Sequence, residues 1–269
     1  MPTLPRYIEV RPRPPLTPYV QCFWALTGQA SPGLSHRVLP DGCLDILVDL
    51  GPQGRAEGDA PRLQIVGTMR QAEVVPLAAE VCLLGIRFRP GGAYPFLRLP
   101  LHELTGRQLS LELLWPREAR EWEGRLWEAE GLQVRVALLE ELLLRRLAPG
   151  LWDGVLAHAV GLIHMTRGQV PLQTLETVVG ISPRQLERRF QATVGLPPKV
   201  LCRIARMRHA VELLECQPRL PGAQLALEAG YCDQAHLVHE FRTLTGLTPG
   251  AYAREQGAGF LQSGTVSGI

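Results

Sequence analysis

Arginine and glutamine side chains cluster on one short segment with the spacing of a helix face. The segment begins with Gly180, a residue that suits a tight turn, and continues with Ser182 as a natural N-cap and Pro183 at the first helical position. Gln185 completes a Ser-x-x-Gln capping box. The side chains that could contact nucleic acid are Arg184, Gln185, Glu187, Arg188 and Arg189, while Leu186 and Phe190 share the opposite face at i, i+4. Arginine can bind guanine with two hydrogen bonds and glutamine can bind adenine, so the segment is typical of a helix that enters a DNA groove. Taken alone, it could equally be an ordinary solvated helix.

A second copy of this pattern follows further along the chain. Leu186, Phe190, Gly195, Leu196 and Pro198 recur 51 residues later as Leu237, Phe241, Gly246, Leu247 and Pro249, and Gly230 answers to Gly180 with a second turn one residue longer. Asp233 replaces Ser182 as the expected cap. Such an internal repeat predicts two helix-turn-helix motifs joined by a helix over Pro198–Glu215. At 1.5 Å per residue this helix is roughly 27 Å long, which suits two adjacent major-groove segments roughly 34 Å apart.

The charge distribution indicates the same region as a binding surface for nucleic acid. The net charge of the chain is only +2, and residues 1–150 carry 17 basic and 17 acidic side chains. From Ser182 to Arg208, however, seven basic residues face a single acidic one. A local excess of this kind is expected of a protein that binds a polyanion.

The first half of the chain is expected to be rich in strands. The strand candidates are Tyr19–Leu26, His36–Pro40, Leu44–Leu50, Leu63–Gly67, Glu73–Leu77 and Val81–Arg89. The turn Pro40-Asp41-Gly42 predicts a hairpin between the second and third of these. Ile86 and Phe88 alternate with Arg87 and Arg89, which predicts a half-buried strand. Short strands at this spacing indicate a β-sandwich or a small barrel.

Helical patterns take over after residue 100. Leucines at helical spacing mark Leu101–Leu104, Leu109–Leu114, Glu118–Glu128 and Val134–Leu147, with the densest stripe at Leu138, Leu139, Leu142 and Leu143. The stripe could pack within the molecule or form a dimer seam. After the linker Ala148-Pro149-Gly150, helices are expected at Trp152–Met165, Pro171–Val179 and Pro183–Val194. The predicted domains are 1–148 (β-rich 1–100, helical 101–148) and 151–256, followed by a disordered tail, 257–269.

Composition limits the remaining possibilities. The chain has 46% hydrophobic residues, no apolar run of membrane-spanning length and no signal-peptide pattern at its start, so we expect a cytoplasmic protein. Its six cysteines form no C-x-x-C pair. Asp41, Cys43 and Asp45 with His36 lack a second histidine nearby, and the other histidine pairs do not match H-E-x-x-H, so neither a metal site nor a cofactor is predicted.

Four residues of the N-terminal half are candidates for binding a small molecule. Arg87 and Arg89 could hold a carboxylate or phosphate, although strand arginines more often face water. Cys22 and Trp24 could form a pocket wall, with packing in the core as the alternative.

The paired motifs resemble the DNA-binding domain of AraC/XylS-type transcriptional regulators. The resemblance is carried by Ile181–Phe190 followed by Val194–Lys199, and by Ala226–Leu237 followed by Phe241–Pro249. It implies that Arg184, Gln185, Glu187 and Arg188 of the first motif are candidate base or phosphate contacts. The corresponding face of the second motif carries Gln234, Ala235, His236, Val238 and His239. Arg189 and Arg242 are further candidates for DNA contact. Ala235 and His239 depart from the serine and arginine frequent in the family, which weakens the expected readout by the second motif. The segments Pro15–Trp24, Leu39–Asp45 and Gly85–Ala93 resemble the sensing domain of one subgroup, which implies a cupin-like barrel with a helical linker or dimerisation element.

Two functions remain. The first is a non-enzymatic transcriptional regulator that binds double-stranded DNA, senses a small molecule through its N-terminal domain, forms a homodimer and could contact RNA polymerase. The second is a DNA-delivered enzyme or repair protein with thiol chemistry at Cys22 or Cys43. We favour the regulator because neither cysteine has the neighbouring residues that stabilise a thiolate.

Overall fold

A computed structural model describes residues 4–51 and 62–257 of the chain. The fold is α+β, as the sequence predicts: an antiparallel sheet domain comes first and an all-helical domain with two helix-turn-helix motifs follows. The predicted tail 257–269 lies outside the described residues except for Gly257, which ends the last helix.

Within the described residues, eight strands form the N-terminal sheets. They are β1 (Arg6–Val10), β2 (Val20–Gln29), β3 (Ser35–Val38), β4 (Leu44–Asp49), β5 (Leu63–Val66), β6 (Glu73–Pro76), β7 (Glu80–Phe88) and β8 (Gln108–Ser110). Six of them make one antiparallel sheet in the order β1-β2-β7-β4-β5-β8, and β3 pairs with β6 in a separate two-stranded ribbon. The ribbon and the sheet are therefore distinct bodies joined by the connections on either side of β3 and β6.

The two faces of the six-stranded sheet have different roles. The predicted alternation in β7 is confirmed, since Ile86 and Phe88 are fully buried whereas the Arg87 side chain lies on the other face. The core face also receives Phe23 from β2 and Ile46 from β4. The opposite face carries a smaller apolar cluster together with the charged side chains discussed below.

The predicted hairpin around Pro40-Asp41-Gly42 is wrong. β3 pairs with β6, and β4 pairs with β5 and β7, so these residues carry the chain from the ribbon to the sheet. Asp41 accepts a hydrogen bond from the Cys43 amide across 2.8 Å, and Gly42 adopts φ +80°. Residues 40–42 do form a turn, but a local turn does not determine which strands pair across it.

Helices α1 (Tyr94–Leu97), α2 (Pro116–Glu128) and α3 (Leu132–Arg146) cover the core face of the sheet. The predicted helix at Leu109–Leu114 is wrong, because this segment continues β8 and then forms a 3₁₀ turn over Leu111–Leu113. Pairing with β5 at the edge of the sheet gives the backbone N–H and C=O groups of β8 hydrogen-bond partners that they would lack in a short helix. Leu139, Leu142 and Leu143 are buried against the sheet, so the leucine stripe packs within the molecule.

The part of the C-terminal domain that the structure describes contains seven α-helices. They are α4 (Gly154–Met165), α5 (Leu172–Val179), α6 (Pro183–Thr193), α7 (Pro198–Cys216), α8 (Gly222–Glu228), α9 (Gln234–Thr245) and α10 (Pro249–Gly257). Trp152 lies outside α4, contrary to the prediction, because Asp153 caps that helix and the Trp152 ring packs edge-on against Tyr19 with 4.9 Å between centroids. No helix within the described ranges is both long and apolar enough to cross a bilayer.

Candidate nucleic-acid interface

The first recognition helix, α6, begins as its sequence predicts. Ser182 and Gln185 form a capping box: the Gln185 amide N–H donates to Ser182 Oγ across 3.4 Å, and the Ser182 amide donates to Gln185 Oε1 across 3.1 Å. Gly180 ends α5 at φ +66°, a left-handed conformation that favours glycine. The Gln185 side-chain oxygen is therefore used within the helix, and its side-chain nitrogen remains available for a contact outside it.

Two arginines of α6 point outward without a partner among the described residues. Arg184 and Arg188 are exposed one helical turn apart, and Leu186 and Phe190 are buried on the other side. Glu187 is also exposed and accepts a hydrogen bond from Gln191 across 3.2 Å. Arg184 and Arg188 are thus the side chains of this helix most available to bases or phosphates.

Arg189, unlike Arg184 and Arg188, is paired with an acidic side chain of another helix. Its Nε donates to Asp153 Oδ2 across 3.0 Å, and the arginine is only half-exposed. The other carboxylate oxygen of Asp153 accepts from the Leu156 amide and caps α4. Arg189 is thereby directed towards α4. The signal available in the sequence was Asp153 itself, an N-cap residue three positions before a buried leucine.

The basic cluster of residues 182–208 is divided among several surfaces. Arg203 pairs with Glu240 across 2.7 Å, the Arg206 guanidinium lies 5.7 Å from the centre of the Tyr231 ring, and Arg208 lines a cleft described below. With Arg189 bound to Asp153, the outward cations are Arg184, Arg188 and the exposed Lys199. The local charge excess therefore does not form one continuous basic patch.

The second recognition helix, α9, repeats the construction of the first. Asp233 caps it by accepting from the His236 amide across 2.7 Å, which confirms the predicted cap. A shallow concave face about 800 Å³ in volume lies along it. This face is lined by Gln234, Ala235, Val238, His239, Arg242 and Thr243.

The individual candidates on α9 are placed unequally. His239 and Arg242 are exposed on the concave face, with Gln234 at its start. His236 is half-buried, and its ring meets Tyr231 edge-on with 5.3 Å between centroids. This packing assigns the His236 ring to the turn of the motif, whereas Arg242 offers a cation one turn beyond His239.

A cleft of about 1300 Å³ lies between the polar face of the sheet and helices α4 and α7. Three of the four small-molecule candidates, Cys22, Arg87 and Arg89, line it, and none of the described lining atoms belongs to Trp24. Trp24 instead stacks on Tyr7 at 6.1 Å and covers Gly85, where a Cβ would come within 2.1 Å of the indole. His164 and Arg208 complete the cleft from the helical side, a contribution that the sequence analysis missed because it joins distant segments.

Arg87 is held at the floor of this cleft by acidic neighbours. Its Nε and Nη2 donate to the two oxygens of Asp45 across 3.3 and 3.1 Å, and Asp41 lies 3.7 Å away. Burial raises the pKa of the Asp45 carboxyl, and the Arg87 guanidinium opposes that rise. The pair satisfies the arginine internally, so Arg89 is the less committed cation of the two; its Nε donates to the Thr17 carbonyl.

The cysteines of the N-terminal domain are in environments that disfavour thiolates. Burial raises the pKa of the Cys22 thiol to about 12, and burial likewise raises the pKa of Cys43. Cys43 Sγ lies 3.3 Å from Gln21 Oε1. A reactive cysteine requires the opposite conditions, namely a cationic, accessible setting that stabilises the thiolate.

Both halves of the chain match known protein families. Residues 175–255 match the family model of a helix-turn-helix domain, and residues 8–110 match a domain of unknown function, DUF6597. A segment of 81 residues is 35% identical to the HTH-type transcriptional regulator GlxA of Rhizobium meliloti (strain 1021), covering 30% of this chain and 25% of that protein. The chain thus spans about a quarter of the length of this relative.

Two solved structures are similar at a greater distance. The C-terminal domain of AraT, a response regulator from Geobacillus stearothermophilus, is 24% identical with a TM-score of 0.37, over 43% of this chain and 94% of that one. ToxT from Vibrio cholerae strain SCE256, crystallised with an unsaturated fatty acid, is 11% identical with a TM-score of 0.43, over 89% and 98% of the two chains. The resemblance stated from the paired motifs is confirmed: the C-terminal domain is a helix-turn-helix domain of the AraC type.

Proposed function

We propose that this protein is a sequence-specific, DNA-binding transcriptional regulator that reads the major groove with α6 and α9. The observation that carries the proposal is the pair of side-chain-capped helices with outward cations: Arg184 and Arg188 on the first, Arg242 on the second. Arginines near the start of a recognition helix can bind guanine edges with two hydrogen bonds. The second motif contributes less to discrimination, since Ala235 and His239 occupy its exposed face.

The effector site that we propose is the cleft between the sheet and helices α4 and α7. Cys22, Arg87 and Arg89 contribute from the sheet, and Arg208 from the helical domain. A small molecule there would contact both halves and could favour one arrangement of the DNA-binding domain over another. Homodimer formation and contact with RNA polymerase belong to the same proposal. The thiol-chemistry alternative gains no support, because burial opposes thiolate formation at Cys22 and Cys43.

Selection of bound duplexes from a random DNA library, using residues 1–269, would test whether the protein recognises a specific DNA sequence. We expect one enriched motif, bound at least about 1000-fold more tightly than unrelated DNA. The domain comprising residues 151–256 is expected to enrich related half-sites. The double variant Arg184→Ala, Arg188→Ala should lose the enrichment while retaining the thermal stability of the parent. If the parent chain bound all duplexes equally, the proposal of a sequence-specific regulator would fail.

A further inference from the structure

The two recognition helices end in equivalent turns, and the N-terminal domain contacts both. Gly195 follows α6 at φ +87° and Gly246 follows α9 at φ +79°, and these glycines correspond in the 51-residue repeat. The surface of each helix that we propose to contact DNA lies elsewhere, along the exposed side of the helix. Contacts at these turns can therefore hold both helices without covering the residues that would read DNA.

The first contact is made by two threonines at the far edge of the sheet. Thr105 Oγ1 donates to the Gly195 carbonyl across 2.7 Å, and Thr68 Oγ1 lies 3.0 Å from Thr105 Oγ1. Thr68 is almost fully buried, with 1% of its surface exposed. A Cβ at Gly195 would lie 2.8 Å from Thr68 Oγ1, so the turn approaches the sheet domain too closely for any other side chain.

The second contact is made by the β3–β6 ribbon. Arg37 Nη1 donates to the Thr245 carbonyl across 3.1 Å, and its Nε lies 3.3 Å from Glu255 Oε1. The Ala72 amide donates to the Leu244 carbonyl across 2.7 Å. These carbonyls belong to the last turn of α9, where they lack intrahelical partners and where a cation is favoured by the helix dipole. Leu39, just after β3, is buried in the apolar cluster of the second motif.

Within the helical domain the two motifs have separate apolar clusters, and away from α7 they meet where the Gln169 side chain lies against Gly230. Leu186 and Phe190 of the first motif lie in one apolar cluster, and Leu237 and Phe241 of the second lie in another. Helix α7 contributes to both and is the main covalent and packing link between them. A single helix of 19 residues sets the distance between two units but resists bending and twisting less well than a second, parallel connection would.

We propose that the N-terminal domain fixes the relative orientation of α6 and α9 through these two contacts. We call this pair of contacts, one from the sheet and one from the ribbon, the calliper. The contacts come from different bodies, the six-stranded sheet and the ribbon. Asp41 lies on the connection between them, four residues beyond Arg37, and faces Arg87 in the cleft. A molecule in the cleft that moved Asp41 would shift the ribbon relative to the sheet and so change the angle between the recognition helices. This consequence for DNA binding rests on the function proposed above.

Distance measurement between the two recognition helices tests the calliper directly. Genetically encoded spin labels would replace the exposed Glu187 on α6 and His239 on α9 in the full chain. Pulsed electron paramagnetic resonance would then report the distribution of distances between the two labels in the absence of DNA. We expect one narrow distribution. Arg37→Ala and Thr105→Val should each broaden it, and the double variant should broaden it most. Thr105→Ser keeps the hydroxyl and should retain the narrow distribution, which separates loss of the contact from misfolding.

The matched control is Arg120→Ala, which removes an exposed ion pair with Glu112 in the same domain and does not touch the helical domain. It should leave the distribution unchanged. An unchanged narrow distribution in the Arg37→Ala, Thr105→Val double variant would overturn the calliper, whether or not the chain binds DNA. Conversely, the variants could broaden a narrow parental distance distribution while the parent selects no DNA motif. That outcome would support the calliper and reject the proposed function.

A DNA measurement connects the calliper to regulation. On a selected duplex that carries both half-sites, the double variant should bind roughly tenfold more weakly than the parent. The reason is that α9 is no longer held in the orientation that suits the second half-site when α6 is bound to the first. On a duplex with only the first half-site, the two proteins should bind alike. Equal weakening on both duplexes would indicate a general loss of folding or charge and would contradict an effect on helix orientation.

Discussion

Arg189 and Asp153 lie 36 positions apart in the chain, and Nε of the arginine donates to Oδ2 of the aspartate across 3.0 Å. The same carboxylate caps α4 through its other oxygen. This contact joins the first recognition helix to the helix that opens the DNA-binding domain. It gives Arg189 a structural role that its neighbours Arg184 and Arg188 do not share.

The three arginines of α6 should therefore differ in their effects on DNA affinity and on the free energy of unfolding. Arg184→Ala and Arg188→Ala should each weaken binding to the selected DNA by about 1–3 kcal/mol while leaving the unfolding free energy nearly unchanged. Arg189→Ala should lower the unfolding free energy by about 1–3 kcal/mol, because it removes hydrogen bonds to a charged group. Chemical denaturation and DNA titration on the same preparations check both. Equal effects of the three substitutions on DNA binding alone would contradict the assignment.

Replacing Gln185 with glutamate should preserve the stability of the fold but weaken DNA binding. Glutamate can still accept from the Ser182 amide, so Gln185→Glu should keep the capping box and the stability of α6. It loses the amide donor and places a negative charge towards the DNA, so affinity should fall. Ser182→Ala is the complementary variant and should cost about 0.5–2 kcal/mol of stability through the lost cap. Denaturation midpoints and DNA titrations distinguish the two, and a Gln185→Glu variant that binds DNA normally would show that this side chain does not face the duplex.

Thiol labelling should follow exposure and thiolate formation. Cys216 and Cys232 are exposed, whereas Cys22 and Cys43 are buried with raised pKa values. With iodoacetamide at pH 7.5 and mass-spectrometric mapping, we expect alkylation of Cys216 and Cys232 well before Cys22 or Cys43. Denaturant should equalise the rates, which provides the control. Rapid labelling of Cys22 or Cys43 in the native protein would revive the thiol-chemistry alternative.

Stability should decrease as the pH falls below neutrality. Burial, aided by the neighbouring Arg167, lowers the pKa of His209, and burial lowers that of His36 as well. Arg167 Nη1 lies 2.7 Å from His209 Nε2, and Glu212 lies 3.6 Å from its Nδ1 and opposes the shift. Below a pH of about 6.5 the unfolded chain binds protons that the folded chain does not, so the unfolding free energy falls by at most about 1.4 kcal/mol per pH unit for each histidine.

His209→Gln should flatten part of this pH dependence between about pH 6.5 and 5, since glutamine can accept from Arg167 but does not titrate there. His36→Gln should flatten a further part. Denaturation midpoints measured from pH 8 to pH 5 give the slopes. If both variants showed the parental slope, the loss of stability would have to come from other groups.

The sequence alone predicted those features whose causes lie within a few residues. The Ser182–Gln185 capping box, the Asp233 cap and the left-handed Gly180 depend on atoms one to three residues apart, so residue type and spacing were sufficient. The repeat added independent support for two motifs. Alternation of Ile86 and Phe88 with Arg87 likewise predicted the buried face of β7.

The tertiary structure alone decided which distant segments meet. Strand β3 pairs with β6 instead of β4, Arg189 turns to Asp153, and Cys22 and Arg87 meet Arg208 across the cleft. Nothing in the local sequence distinguishes an arginine that reads DNA from one that binds a carboxylate 36 residues away, because both lie on the polar side of the same helix. Local hydrogen bonds determine where helices and turns begin. Partner choice depends on how sheet, ribbon and helices bury their apolar faces together, and that follows only from the whole chain.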